Sequence, residues 1–139
     1  MRILIDTNCF LMIAPKASKH HWLMNLIQIG KIELVVSTEI LDEYEETMGI
    51  FYSSDYAEFI LKGILNLPNV FRLNPIYFQW NLITVDVDDN KFVDAYVASN
   101  ATMIITYDKH FRVLDRIAFP KVIFMNLEDF EEYWHKNKH

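Results

Sequence analysis

The chain has 139 residues, of which 52% are hydrophobic and 23% are charged, and its formal net charge is −6 at pH 7. This composition excludes a disordered chain and predicts one folded domain over residues 1–139. The apolar runs are too short to cross a membrane, and the aspartate at position 6 excludes a signal-peptide core. The single cysteine, Cys9, excludes an internal disulfide and suits a reducing cytoplasm.

The acidic balance bears on nucleic-acid binding. A protein that grips nucleic acid by neutralising phosphates is normally basic, so the composition argues against a simple binder. It argues less strongly against a metal-dependent nuclease, because several acidic residues grouped around cations would reverse the local field. Net charge alone therefore does not decide between these classes.

The first half of the chain predicts strands that alternate with helices. Short β-rich apolar runs indicate strands over residues 2–5 and 33–36. Helical spacing predicts three helices: one between Ser18 and Gly30, one that begins at Ser37 or Thr38 with Ile40, Leu41, Tyr44 and Met48 on its apolar face, and one that ends before Pro68.

The second half continues this alternation after an ambiguous aromatic segment over residues 70–85, which Pro75 interrupts. The pattern then predicts a helix over residues 89–99, a strand over 103–106, a helical turn over 109–114, a strand over 122–125 and a last helix from Glu128. Such alternation is typical of the α/β class, with a mostly parallel sheet that helices cover on both faces.

Acidic residues fall where predicted strands end. Asp6 directly follows the first strand, and Asp108 lies two residues beyond the strand that ends at Thr106. The carboxyl ends of parallel strands meet at one edge, where sites of such sheets form. Glu43 lies on the helix after the second strand, about 115° from the centre of its apolar face, and is expected to point into the same cleft.

A second group of acids surrounds the start of the predicted helix at residue 89. Asp86 and Asp88 are interpreted mainly as charges that favour a helix N-terminus. Asp89 is a candidate ligand, and so is Asp94, which shares one helix face with Asn90.

Carboxylates without histidine or cysteine spacing suit Mg²⁺ or Mn²⁺ rather than zinc. The chain has neither an HExxH nor a CxxC motif, no glycine-rich phosphate loop and no GxSxG motif. The sequence at residues 6–8, DTN, also lacks the paired aspartates of phosphatases that use an aspartate nucleophile. The pattern therefore favours metal-assisted phosphodiester hydrolysis.

Four motifs in this order resemble a PIN domain, in particular the toxins of bacterial or archaeal toxin–antitoxin pairs (VapC-like). They are ILIDTN at residues 3–8, VVS at 35–37 with ILDEY at 40–44, DDNKFVD at 88–94 and IITYDK at 104–109. The resemblance implies a three-layer α/β/α sandwich and an endoribonuclease that depends on Mg²⁺ or Mn²⁺. It also implies RNA as substrate, an antitoxin protein as partner and a homodimer or higher homo-oligomer.

Carried over by position, the resemblance implies that Asp6, Glu43 and Asp108 are catalytic metal ligands, supported by Asn8 and Thr106. The usual position of the remaining acid falls on Asn90, which is then a supporting residue. Asp94, one turn later, or Asp89, one residue earlier, is expected to replace it as a ligand, with Asp94 favoured as the catalytic acid.

Two further groups carry weaker expectations. Lys109 and His110 follow Asp108 and are candidates to bind RNA phosphates, with ordinary solvated charge as the alternative. Four aromatic residues are expected mainly in the core, with a groove for an antitoxin peptide or a dimer interface as the alternative: Phe51, Tyr52, Tyr56 and Phe59. A catalytically weak RNA- or protein-binding module remains the alternative function, motivated by Asn90 and by the net charge.

Overall fold

The computed structural model describes residues 1–73, 79–83, 87–118 and 120–137. Its strands are β1 (Arg2–Ile5), β2 (Glu33–Ser37), β3 (Val70–Leu73), β4 (Met103–Ile105) and β5 (Phe124–Met125). Its α-helices are α1 (Thr7–Ile13), α2 (His21–Gln28), α3 (Thr38–Phe51), α4 (Ser54–Leu65), α5 (Asn90–Ser99) and α6 (Leu127–Asn137). Two 3₁₀ segments, Val87–Asp89 and Lys109–Arg116, precede α5 and follow β4.

All five strands of the sheet are parallel, in the order β3-β2-β1-β4-β5. Every residue of β4 is buried, as are residues 3–5 of β1 and 34–37 of β2, so side chains on both faces of the sheet are covered. Such burial requires helices on both sides of a parallel sheet. The predicted three-layer α/β/α class is confirmed.

The strand order reverses at β1. The chain runs outward from β1 through β2 to β3, and then returns to the other side of β1 to add β4 and β5. Ligands of open α/β sheets bind in the crevice outside the carboxyl ends of strands at such a switch point. Asp6 lies there, and its backbone N–H donates to Ile105 O of β4 at 2.9 Å.

Helix α1 was missed from the sequence. Four of its seven residues are apolar, and Thr7, Cys9, Phe10, Leu11 and Ile13 are all buried, so no apolar stripe marks it. The signal that identifies it is Asp6, whose carboxylate caps the helix by accepting from Cys9 N at 2.9 Å. Burial raises the pKa of the Cys9 thiol, which is consistent with a core role.

Helix α3 begins where the sequence predicted, since Ser37 Oγ accepts from Ile40 N at 3.2 Å.

Strand β3 occupies the beginning of the segment 70–85, whose structure the sequence left ambiguous. Residues 74–78 and 84–86, including Asp86, lie outside the described part of the chain.

The expected core position is wrong for three of the four aromatic residues at the α3–α4 corner. Phe51 is 69% exposed, Tyr52 45% and Phe59 73%. Tyr56 is half-buried, and its ring packs edge-on against Tyr52 at 5.2 Å between centroids. Within the described residues, no helix combines the length and apolarity needed to cross a membrane.

Candidate metal centre

One cavity of about 210 Å³ lies outside the carboxyl ends of β1 and β4. Its lining is dominated by carboxylates and hydroxyls: Asp6, Thr7, Asn8, Glu43, Thr47, Asp88, Asp89, Phe92 and Asp108. These residues come from the ends of β1 and β4, from α1 and α3, and from the start of α5. The strand ends and two helix starts therefore bring together acids that are far apart in the sequence.

Asp6 is the most buried of the acids that line the cavity. The residue is only 8% exposed, and its Oδ1 accepts from Cys9 N at 2.9 Å. Its Oδ2 accepts from the hydroxyl of Thr106, and that hydroxyl oxygen in turn accepts from Asp108 N at 3.0 Å. Thr106 thus connects two of the predicted acids through one hydroxyl group.

Burial raises the pKa of Asp6, and the hydrogen bonds from Thr106 and Cys9 only partly oppose this effect. The negative charge of Asp108 raises it further. A buried carboxylate beside a second one is stabilised in its ionised form by a cation, so the electrostatics of this wall fit a bound metal ion.

Glu43 reaches the cavity from α3 and contacts two donors of the chain. The hydroxyl of Thr7 donates to its Oε1, and the ammonium Nζ of Lys91 lies 2.7 Å from its Oε2. Glu43 therefore lies on the cavity side of α3, as its helical position predicted, whereas Glu39, Asp42 and Glu46 are exposed.

Asp108 and Asp89 meet at the other side of the cavity together with His110. One potential ligand atom from each of these residues lies within 4.8 Å of the other two. His110 Nδ1 is 3.3 Å from Asp108 Oδ1 and 4.0 Å from Asp89 Oδ2. Asp108 Oδ1 also caps the following 3₁₀ segment by accepting from His110 N at 2.8 Å.

The donor set fits a divalent cation. Carboxylate oxygens dominate, the cavity leaves room for water molecules, and Mg²⁺ and Mn²⁺ prefer such oxygen-rich, partly hydrated sites. Asp89 and Asp108, whose ligand atoms lie within 4.8 Å of each other and of His110, could hold the ion, with Asp6 and Glu43 in the lining of the same cavity.

The structure takes Asp94 and Asn90 away from the cavity lining. Asp94 is 7% exposed and accepts from Trp80 N at 2.8 Å. Asn90 accepts from Ile83 N and donates to Ile83 O, both at 2.8 Å. Both residues thus bind segment 79–83 to α5, and the ligand role expected for Asp94 stays a prediction.

The remaining predicted residues lie at the rim of the site. Asn8 is exposed and lines the cavity. Lys109 is exposed and His110 is 41% exposed in its side chain, so both are accessible beside Asp108.

Among the residues at the site that were not assigned to it from the sequence, two are charged. Asp88 lines the cavity, although its position favoured a helix N-terminal charge. Lys91 was not singled out. The feature of the sequence that could have identified it is that it is the only basic residue in the acidic segment 86–94.

The PIN domain family matches residues 2–110 of the chain. The crystal structure of VapBC2 from Rickettsia felis bound to a DNA fragment from their promoter contains a chain of similar fold, with a TM-score of 0.63 and 15% identity. The match covers 91% of this chain and 98% of that one, and at this identity it concerns the fold alone. Comparison with curated proteins finds no match.

Proposed function

This chain belongs to the PIN domain family, and on that premise we propose that it is a divalent-metal-dependent endoribonuclease that hydrolyses RNA phosphodiesters. The observation that carries the proposal is the convergence of Asp6, Glu43, Asp89 and Asp108 on one open cavity. Mg²⁺ or Mn²⁺ bound there would acidify a water molecule and offset the charge of the phosphate.

The residues of the chain have distinct roles in this proposal. Asp6 and Asp108, tied together through Thr106, present carboxylates in a fixed geometry. Asp89 takes the ligand position for which Asp94 was favoured, because it lines the cavity and Asp94 does not. Lys109 and His110, exposed at the rim, bind phosphates of the RNA on either side of the cleaved bond.

We also propose that the protein acts in the cytoplasm as the toxin of a toxin–antitoxin pair. The similar structure is of VapBC2 bound to promoter DNA, and this chain exposes an aromatic surface on which a protein partner could dock. That surface consists of Phe51, Tyr52 and Tyr56, beside Pro15 and Lys16. Expression should arrest growth, and co-expression of a small protein encoded next to the gene should relieve the arrest.

The direct test compares RNA cleavage by the wild type, Glu43→Gln and Glu46→Gln in Mn²⁺. Glu46 is exposed on the same helix, so its variant is a matched control for the loss of one carboxylate. Wild type and Glu46→Gln should cleave RNA but not DNA of the same sequence, and Glu43→Gln and EDTA should abolish cleavage. Equal cleavage by all three proteins would overturn the assignment of Glu43.

The alternative of a catalytically weak binding module was motivated by Asn90 at a position usually held by an acid. Asn90 instead holds Ile83, and the neighbouring Asp89 lines the cavity. A titration separates the two functions, since a module without a metal centre would bind no Mn²⁺ at millimolar concentration.

A further inference from the structure

We infer that Lys91 is a positioning residue that serves as a built-in cation of the cavity. Its ammonium group occupies one oxygen of Glu43 and limits the site to one divalent ion, which Asp89 and Asp108 would hold. The inference rests on the proposed function, because it concerns the metal that this function requires, and it specifies how many ions the site accepts.

The contacts of Lys91 are those of a fixed internal charge. Its Nζ lies 2.7 Å from Glu43 Oε2 and donates to Asp88 O at 2.7 Å. Its side chain is only 11% exposed, whereas Lys62 and Lys136, which pair with glutamates one helical turn away, are 75% and 72% exposed. A nearly buried ammonium group depends on such partners, because little water reaches it.

Glu43 is correspondingly committed to partners within the chain. Thr7 donates to one of its oxygens, and Lys91 is bound to the other. Asp89 and Asp108 belong to a separate group with His110, in which one ligand atom of each residue lies within 4.8 Å of the other two. The acids of the cavity therefore form two groups, and Lys91 supplies the positive charge of one of them.

The positive charge that Lys91 places on Glu43 affects how many divalent ions the cavity can hold. In two-metal sites the ions lie about 3.5–4 Å apart and share carboxylates between them. A lysine ammonium bound to one of those carboxylates repels a second dication and also offsets part of the charge that would attract it. With Lys91 in place, one ion and one ammonium group together offset three of the five negative charges in the cavity lining.

The test counts Mn²⁺ ions bound to the purified full chain, by electron paramagnetic resonance of free Mn²⁺. Lys91→Met removes the charge and keeps an unbranched apolar chain, Lys91→Arg keeps the charge, and Lys62→Met is the control for a lost surface charge. The wild type, Lys91→Arg and Lys62→Met should each bind one ion. Lys91→Met should bind two, the first about tenfold more tightly than in the wild type.

Thermal midpoints in EDTA and in Mn²⁺ check that each variant folds and give a second measure of binding. Glu43→Gln keeps the test valid if Lys91→Met fails to fold, because it should still bind one ion. Two ions in the wild type, one ion of unchanged affinity in Lys91→Met, or no ion in Glu43→Gln would each overturn the inference. A wild type that binds no ion would instead refute the proposed function itself.

Discussion

The hydroxyl of Thr106 donates to the carboxylate of Asp6, so that a side chain at the end of β4 orients the acid that ends β1. The same oxygen accepts from Asp108 N at 3.0 Å. Two strands adjacent in the sheet but separated by about a hundred residues are thus connected at the cavity by one hydroxyl group. The relative positions of Asp6 and Asp108 therefore depend on this hydroxyl group.

Replacing Thr106 by valine should therefore weaken metal binding while preserving the shape of the side chain. Partners that orient metal ligands typically contribute about ten- to a hundredfold to affinity, and we expect a loss of this size. Calorimetric titration with Mn²⁺ measures it. Thr106→Ser keeps the hydroxyl and should bind nearly as well as the wild type, so equal losses in both variants would contradict the orienting role.

The choice between Asp89 and Asp94 is tested by two matched asparagine variants. Asp89→Asn should lose Mn²⁺ binding and RNA cleavage, because Asp89 lines the cavity beside Asp108. Asp94→Asn should keep both, since asparagine can still accept from Trp80 N. Binding and cleavage assays on the two proteins decide the matter, and loss in Asp94→Asn alone would return the ligand role to Asp94.

The pH dependence of stability provides a separate test of Asp94. Burial raises the pKa of this carboxyl above its ordinary value of 3.8, against the hydrogen bond from Trp80, and the charge of Glu39 raises it further. The folded chain therefore binds this proton more tightly than the unfolded chain. The contribution of Asp94 to the free energy of unfolding then falls as pH rises from 3.8 through the raised value.

Asp94→Asn lacks this titration and should gain stability relative to the wild type across that pH window. Urea denaturation in EDTA between about pH 4 and pH 7 measures the difference. Asp42→Asn, which removes an exposed acid of α3, is the control for the loss of one surface carboxylate. A difference for Asp94→Asn that does not change with pH would refute the assigned cause.

Asn90 offers a prediction about why an amide stands where an acid is usual. Asn90→Asp removes the donor to Ile83 O and brings a carboxylate oxygen against that carbonyl. We expect a loss of about 1–3 kcal/mol in the free energy of unfolding, with no gain in Mn²⁺ affinity. Chemical denaturation measures the loss, and Asn25→Asp, exposed on α2, is the control. Tighter Mn²⁺ binding by Asn90→Asp would show that residue 90 belongs to the metal centre.

Much of the site follows from local features of the sequence. A strand that ends in an aspartate delivers it to the carboxyl edge of a parallel sheet, and this places Asp6 and Asp108. The cap at Ser37 sets the phase of α3, and that phase turns Glu43 toward the cavity. The predicted bounds of β1 and β4 and the predicted start of α3 are confirmed to within one residue. Hydrophobic periodicity and helix capping are local properties, and the sequence therefore reveals them.

Other features depend on contacts between distant segments. Successive side chains on a helix point about 100° apart, so the rotation of α5 about its own axis decides which of Asp89 and Asp94 lies at the cavity. That phase is set where Asn90 and Asp94 bind segment 79–83, which no local pattern predicts. The pairing of Lys91 with Glu43 likewise requires α5 and α3 to lie side by side. The sequence thus determined the acids at the strand ends, whereas tertiary packing decided that Asp89 lines the cavity and that Lys91 pairs with Glu43, because only packing orients one helix against another.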